Sequence, residues 1–299
     1  MKQKLLFTVV TSTYNRCENL KKLFRSLKKQ KVYNFLWMVI DDCSTDSTRD
    51  EISKFIKESP FPIVYFLQKH QGGKHRALNL AFQNIRTELF IIIDSDDYFV
   101  SNGSVLIKEA WDKYKNRNIK SIVMERGANG LNDPILKIKK SGVIDSRYDY
   151  MMRNNMIGDF SDVFVTKAVK EYRFPEFPGE LFISEGPLYY WFAKIHNYKS
   201  VFIDQVLTVG SYLKGGLTNH VRSLQIKNWH GTLFELNFYI TKNNPLKQRI
   251  KKAILFDYIL LEIKRPLPAN QPNKCILLFC KLPAYIYYLI RKVKDENKK

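Results

Sequence analysis

Four short apolar runs in the first hundred residues, at 5–10, 37–40, 63–67 and 89–93, each stop at a polar loop, and amphipathic stretches separate them. Leu20, Leu23, Phe24 and Leu27 recur three and four apart after the first run. Ile52, Phe55 and Ile56 follow the second, and Ala77, Leu78, Ala81, Phe82 and Ile85 the third. That spacing gathers each set on one helix face. Short apolar strands alternating with such helices bury their faces as βαβ units, with parallel strands and right-handed crossovers. The expected fold class is α/β, a Rossmann-like mixed sheet flanked by helices.

The polar residues fall at the carboxyl ends of the expected strands: TSTYNR at 11–16, DDCSTDST at 41–48, the loop at 68–74 and DSDD at 94–97. Ligands of open α/β sheets bind outside those ends, where the strand order switches. The four loops are therefore expected to line one crevice. Asp94 and Asp96 lie two apart, on one face of a continuing strand, and offer the hard oxygens that Mg²⁺ or Mn²⁺ takes when it also binds phosphate. An ordinary solvated turn is the competing reading, and Asp97 is assigned to bracing that turn. Asp41 can accept from a nucleobase N–H or a ribose hydroxyl, while Ser44, Asp46, Ser47 and Thr48 read as caps of the next helix. Gly72 and Gly73 permit a sharp bend. Lys74, His75 and Arg76 then place cations at a helix start, a setting for a diphosphate.

TSTYNR, DDCSTDST, GGKHRALN and DSDD, in this order and spacing, resemble the family 2 glycosyltransferases of the GT-A fold over about residues 3–100 and, more loosely, 155–217. The resemblance implies transfer of a sugar, with inversion, from a nucleotide-diphosphate donor of uridine type to a saccharide or polyprenyl-linked oligosaccharide. It implies Mn²⁺ or Mg²⁺ as cofactor and a place in bacterial surface polysaccharide synthesis. By matching position, Thr11 and Tyr14 line the nucleoside pocket, and Asp41, Lys74, Arg76, Asp94 and Ser95 hold the donor. Asp96 holds the metal, with Asp94 beside it. The family sets its general base as a carboxylate at a helix start, often an adjacent Glu-Asp pair. Here FPGELFISEGPLYYWF carries Glu185 with Gly186 in place of the Asp, so Glu185 is the expected base and Glu180 the alternate. In a lid-like YLKGGLTNH, His220 is a further candidate metal ligand, against the reading of a surface histidine.

Charge enters where partners are concerned. The chain of 299 residues has a net charge of +20, which suits a polyanionic partner. From residue 242 onward, fourteen Lys and Arg face four Asp and Glu. There CILLFCKLPAYIYYLIRKVK suits either a helix lying on an anionic membrane surface or a homo-oligomer interface. It is too short and broken to span a bilayer. A nucleic-acid-binding protein would rest on charge and aromatics alone, without a motif, so nucleic acid is not an expected partner. A nucleotidyltransferase would call for glycines after the first strand, and TSTYNR has none. The four cysteines form no CxxC pair, and the amino-terminal apolar run is shorter than a secretory core. The expected location is cytoplasmic, peripheral on the inner face of the membrane. The expected organisation is a catalytic domain at 1–219, divided into a nucleotide-binding half at 1–100 and an acceptor half at 101–219, followed by a basic helical extension at 220–299.

Overall fold

The computed structural model describes residues 4–210, 221–268, 271 and 273–296. The chain divides into two compact units. Met1–Phe174 and Leu188–Lys214 form one, Pro175–Pro187 and Gly215–Lys299 the other. The expected boundary at 219 lies outside the described residues, and the stretch 175–187 belongs with the carboxyl-terminal helices.

The first unit begins with the expected alternation: β1 (Phe7–Thr13), α1 (Cys17–Lys28), β2 (Phe35–Asp41), α2 (Thr48–Glu58), β3 (Ile63–Leu67), α3 (Gly73–Asn84) and β4 (Leu89–Ile92). It continues through β5 (Asp97–Phe99), α4 (Gly103–Tyr114), β6 (Ser121–Gly127), β7 (Val143–Asp145), α5 (Arg147–Arg153), β8 (Ser161–Val165) and α6 (Thr166–Val169). α7 (Gly186–Tyr190) starts in the other unit and ends in this one, which closes with β9 (Ser200–Gly210). One nine-stranded sheet results, in the order β3-β2-β1-β4-β8-β6-β9-β5, with β7 beside β9. β1 to β4 are mutually parallel, whereas β8 runs antiparallel between β4 and β6. The sheet is mixed, as expected.

The alternation of the strands assigns their faces. Phe7, Val9, Phe35, Trp37, Val39, Leu89 and Ile91 pack on one side with Leu20, Leu23 and Leu27 of α1, Ile52 of α2 and Ile107 and Trp111 of α4. Burial of each such side chain contributes about 1.5–3 kcal/mol. Phe90 points to the other side, where Phe82 of α3 meets it at 5.4 Å between ring centres.

The second unit is helical: α8 (Val221–Lys227), α9 (Trp229–Ile240), α10 (Leu246–Glu262) and α11 (Lys274–Glu296). Its core joins Leu233, Leu236 and Ile240 to Ala253, Phe256, Ile259 and Leu260, and to Leu277 and Cys280. α11 passes through Pro283 without breaking, where the sequence suggested an interruption. The ring of Pro283 lies on the exposed side, so the proline removes one helical hydrogen bond without entering the core.

Candidate active site

The register brings the polar loops to one edge. Thr13, Asp41 and Leu67 stand in a row across β1, β2 and β3, and Val10 of β1 faces Ile92 of β4. The strand order reverses between β1 and β4, at the place where a ligand crevice is expected. Asn15 is held at a positive φ of 51°, and its side-chain oxygen accepts from the backbone N–H of Thr45 at 2.7 Å. Ser44 in turn accepts from Asn15 N–H at 2.9 Å. The loop after β1 is thereby stapled to the loop after β2.

Asp41 and Asp42, neighbours in sequence, serve different loops. Asp41 is fully buried. It accepts from Ser44 N–H at 2.8 Å and from the Tyr65 hydroxyl at 2.7 Å. Burial together with that carboxylate pushes the Tyr65 hydroxyl far up, so it stays a donor. Asp42 accepts from the peptide N–H groups of Gly72 and Gly73, each at 2.7 Å, and from the Gln68 amide at 2.8 Å. Burial pushes the Asp42 carboxyl up, and the two peptide N–H groups offset only part of that. Gly73 needs its positive φ of 79°. A side chain at Gly72 would strike Arg76, 2.2 Å from Cδ. Asp42 was not assigned from sequence, although its place one residue past Asp41, on the alternate side of the chain, was the signal.

At the end of β4, Asp97 N–H donates to the Asp94 carbonyl at 3.0 Å, closing DSDD into a turn that leads into β5. Each of its carboxylates meets a different cation. Lys74 of α3 donates to Asp94. Arg16 from the loop after β1 lies 2.9 Å from Asp96. Arg126 of β6 grips Asp97 with two donors, at 3.0 and 2.7 Å. Burial opposes charge on Asp94, but Lys74, then Arg126 and Arg16, outweigh it and hold the carboxyl below the usual range. Asp97 is buried and its carboxyl is pushed up, with Arg126 pulling the other way. A side chain at Gly210 of β9 would fall 1.7 Å from an Asp97 oxygen, so the bare glycine is what lets this pair close. Asp97 thus braces the turn, and Asp94 and Asp96 remain partly exposed. Arg16 was not singled out from sequence, although it is the cation ending the first polar loop.

The other expected donor residues part company. Tyr14 is 40% exposed at the crevice edge. The Thr11 hydroxyl instead accepts from the Trp37 indole at 3.0 Å in the core, because an even step along β1 points it inward. Ser95 is buried in the turn, and Arg76 is exposed on α3. His220 lies outside the described residues.

Asp94 and Asp96 supply the hard oxygens that Mg²⁺ and Mn²⁺ take. One or two protein carboxylates suffice when phosphate oxygens and water complete the octahedron. Among the described residues no three metal-ligating side chains stand together. The residues present therefore fit a metal that is shared with a diphosphate, and Lys74 and Arg16 bring the cations such an anion needs.

In the second unit, Glu180 accepts from the backbone N–H groups of His230 and Gly231, both at 2.8 Å, and lies 2.9 Å from the His230 ring. Those contacts cap α9 and occupy both carboxylate oxygens. Glu185 stands just before α7, with one carboxylate oxygen buried. Its neighbour Ser184 accepts from Gly186 N–H at 3.1 Å and donates to Glu235 of α9 at 2.7 Å. A side chain at Gly186 would come 2.8 Å from the Tyr239 hydroxyl and 3.0 Å from a Glu235 oxygen. This explains physically why the adjacent position carries no Asp: α9 already fills the space, with a carboxylate. Burial pushes the Glu235 carboxyl up, against Ser184 and Lys252.

Residues 8–159, just over half of the chain, match the model of Glycosyl transferase family 2. This chain belongs to that family. It is 27% identical over 176 residues to the Staphylococcus aureus poly(ribitol-phosphate) beta-N-acetylglucosaminyltransferase TarS, a match covering 55% of this chain and 30% of TarS. The chain therefore spans under a third of that relative. It is 24% identical over 204 residues to a GalNAc(5)-diNAcBac-PP-undecaprenol beta-1,3-glucosyltransferase of Campylobacter jejuni, covering 68% of this chain and 63% of that one. A crystal structure of S. aureus TarS with UDP-GlcNAc superposes with a TM-score of 0.56 at 19% identity, covering 85% of this chain and 81% of that one. The mannosyltransferase PcManGT of Pyrobaculum calidifontis with GDP-Man and Mn²⁺ gives 0.59 at 14%, covering 96% and 88%. At these identities the structural likeness shows the fold, and the expected GT-A architecture with a helical carboxyl-terminal region stands.

Proposed function

We propose that this protein transfers a sugar from a uridine-diphosphate donor, with inversion and with Mn²⁺ or Mg²⁺, to a hydroxyl of a saccharide or polyprenyl-linked oligosaccharide in bacterial surface polysaccharide synthesis. The observation that carries the reading is the DSDD turn, where partly exposed Asp94 and Asp96 meet Lys74 and Arg16 from two other loops at the strand-order switch. The UDP-GlcNAc of a structural neighbour and the undecaprenol-linked name of a relative support the donor and acceptor classes.

Asp41 receives the base, next to Tyr14. Lys74 and Arg16 would meet the diphosphate, and Asp94 and Asp96 would hold the metal, which would supply positive charge to offset that of the leaving group. Glu185 takes the acceptor's proton as its oxygen attacks the anomeric carbon from the face opposite the diphosphate. The bond to the phosphate oxygen breaks and its electron pair leaves with UDP. Glu235 acts as a positioning residue, fixing Ser184 and through it the segment that bears Glu185. The contacts of Glu180 with α9 support Glu185 rather than Glu180 as the base.

A panel of UDP- and GDP-sugars hydrolysed in the presence of Mn²⁺ identifies the donor without knowledge of the acceptor. With that donor, Glu185→Gln is expected to bind UDP as the wild type does and to transfer about 10²–10⁴ times more slowly. Transfer at the wild-type rate would remove Glu185 from the reaction. Metal-independent, salt-sensitive binding to oligonucleotides in place of UDP would support a nucleic-acid-binding protein instead.

A further inference from the structure

α11 wears its apolar residues on the outside. At about 100° per residue, Leu278, Phe279, Leu282, Tyr285, Ile286, Leu289, Ile290 and Val293 fall within one sector of roughly 140°, and all of them are exposed. Phe279 is 74% and Leu282 68% exposed. The opposite side of the same helix is buried, with Leu277, Cys280 and Ala284 fully covered and Tyr287 packed on Tyr258 of α10 at 5.0 Å between ring centres. The exposed sector is therefore not the core-facing side of the helix. A contiguous exposed apolar face of this extent marks an interaction surface.

The charges along its border choose the partner. Lys274, Lys281 and Lys292 are exposed, and the same helical rotation sets all three within about 20° of one line along one edge of the apolar sector. A lysine at such a border lays its methylenes on apolar surface and lifts its ammonium to the rim. No helix among the described residues is long and apolar enough to cross a membrane, so this face suits a helix lying in the plane of an interface.

We propose that α11 docks the protein on an anionic lipid surface, with the sector from Leu278 to Val293 entering the headgroup and acyl boundary and the lysine row meeting lipid phosphates. The chain's net charge of +20 acts in the same direction. A second copy of the chain would bring another +20 against the lysine row, which anionic headgroups neutralise.

The test is flotation of the full chain with vesicles of phosphatidylcholine, with and without phosphatidylglycerol. Wild type is expected to float with the anionic vesicles and to stay behind with neutral ones. Lys274→Glu, Lys281→Glu and Lys292→Glu each lower partitioning about fivefold or more. Phe279→Ser with Leu282→Ser abolishes it, while Ile56→Ser, which removes an exposed apolar residue of α2, leaves it unchanged. A second measurement needs no variant. Cys275 is exposed at the middle of the apolar sector, and anionic vesicles are expected to slow its reaction with a water-soluble maleimide while leaving Cys43 unaffected. Equal binding to both vesicle types, wild-type binding by the serine variant, or an unprotected Cys275 overturns the proposal. So does a dimer in light scattering that the serine variant dissolves without any vesicle binding.

Discussion

Four carboxylates in the sheet unit meet cations from other elements: Asp94 with Lys74, Asp96 with Arg16, Asp97 with Arg126 and Asp162 with Arg147. In the helical unit the buried acids are answered differently. Glu180 takes peptide N–H groups and the His230 ring, Glu235 takes a serine hydroxyl with Lys252 also pulling against its burial, and Asp257 of α10 has Lys281 pulling against its burial. Of the first group, Asp94 and Asp96 are partly exposed, where the proposed diphosphate and metal would exchange for the existing partners, while Asp97 and Asp162 form buried ion pairs. In the second, burial raises the Glu235 and Asp257 carboxyls, and the contacts of Glu180 and Glu235 fix segments. Asp257 is carried to about 7 by burial.

The contrast breaks most visibly at Arg126. Arg126→Met leaves Asp97 buried beside Gly210 without its guanidinium, and is expected to destabilise the sheet unit by about 3 kcal/mol. Thermal melting would show this, and an unchanged melting temperature would mean that the ion pair contributes nothing. Asp257→Asn is expected to act in the opposite direction. The folded carboxyl titrates at about 7 against an ordinary 3.8, so wild type loses stability as pH rises between those values and no further above them. The variant escapes that loss and gains on the order of 2 kcal/mol at pH 8, after discounting for partial solvent access, and little near pH 4. Parallel melting curves at both pH values would contradict it. The smallest effect is set by Glu235→Gln, which keeps an oxygen for Ser184 and should change stability by less than about 1 kcal/mol. Its kcat should fall while the donor KM holds, and a KM change alone would remove Glu235 from the positioning of Glu185.

Much of the first hundred residues was legible because the signals are local. Leu20, Leu23, Phe24 and Leu27 name the buried side of α1 by spacing, and the polar loops announce the carboxyl ends of the strands. The partners were not legible, because they meet across long separations. Arg126 and Asp97 are 29 positions apart, and Asp97 faces Gly210 across β5 and β9. Glu235 reaches Ser184 over 51 positions. Nothing in FPGELFISEGP signals that its second glycine, Gly186, sits under α9, or that this stretch belongs with the helical unit. Thr11 shows the limit of a motif from the other side: the residue type matches the family pattern while its hydroxyl serves Trp37. In α11 the helical period was readable, yet which of two faces is covered depends on Phe256 and Tyr258 of α10.

In the proposed reaction Asp96 and its neighbours receive a metal-bound nucleotide diphosphate. Calorimetric titration of UDP into the protein, with and without Mn²⁺, tests this most directly. Wild type is predicted to bind UDP with Mn²⁺ and far more weakly without it, and Asp96→Ala to lose at least about 100-fold in the presence of Mn²⁺. Binding of UDP that ignores both the metal and the Asp96→Ala substitution would remove Asp96 from the donor site.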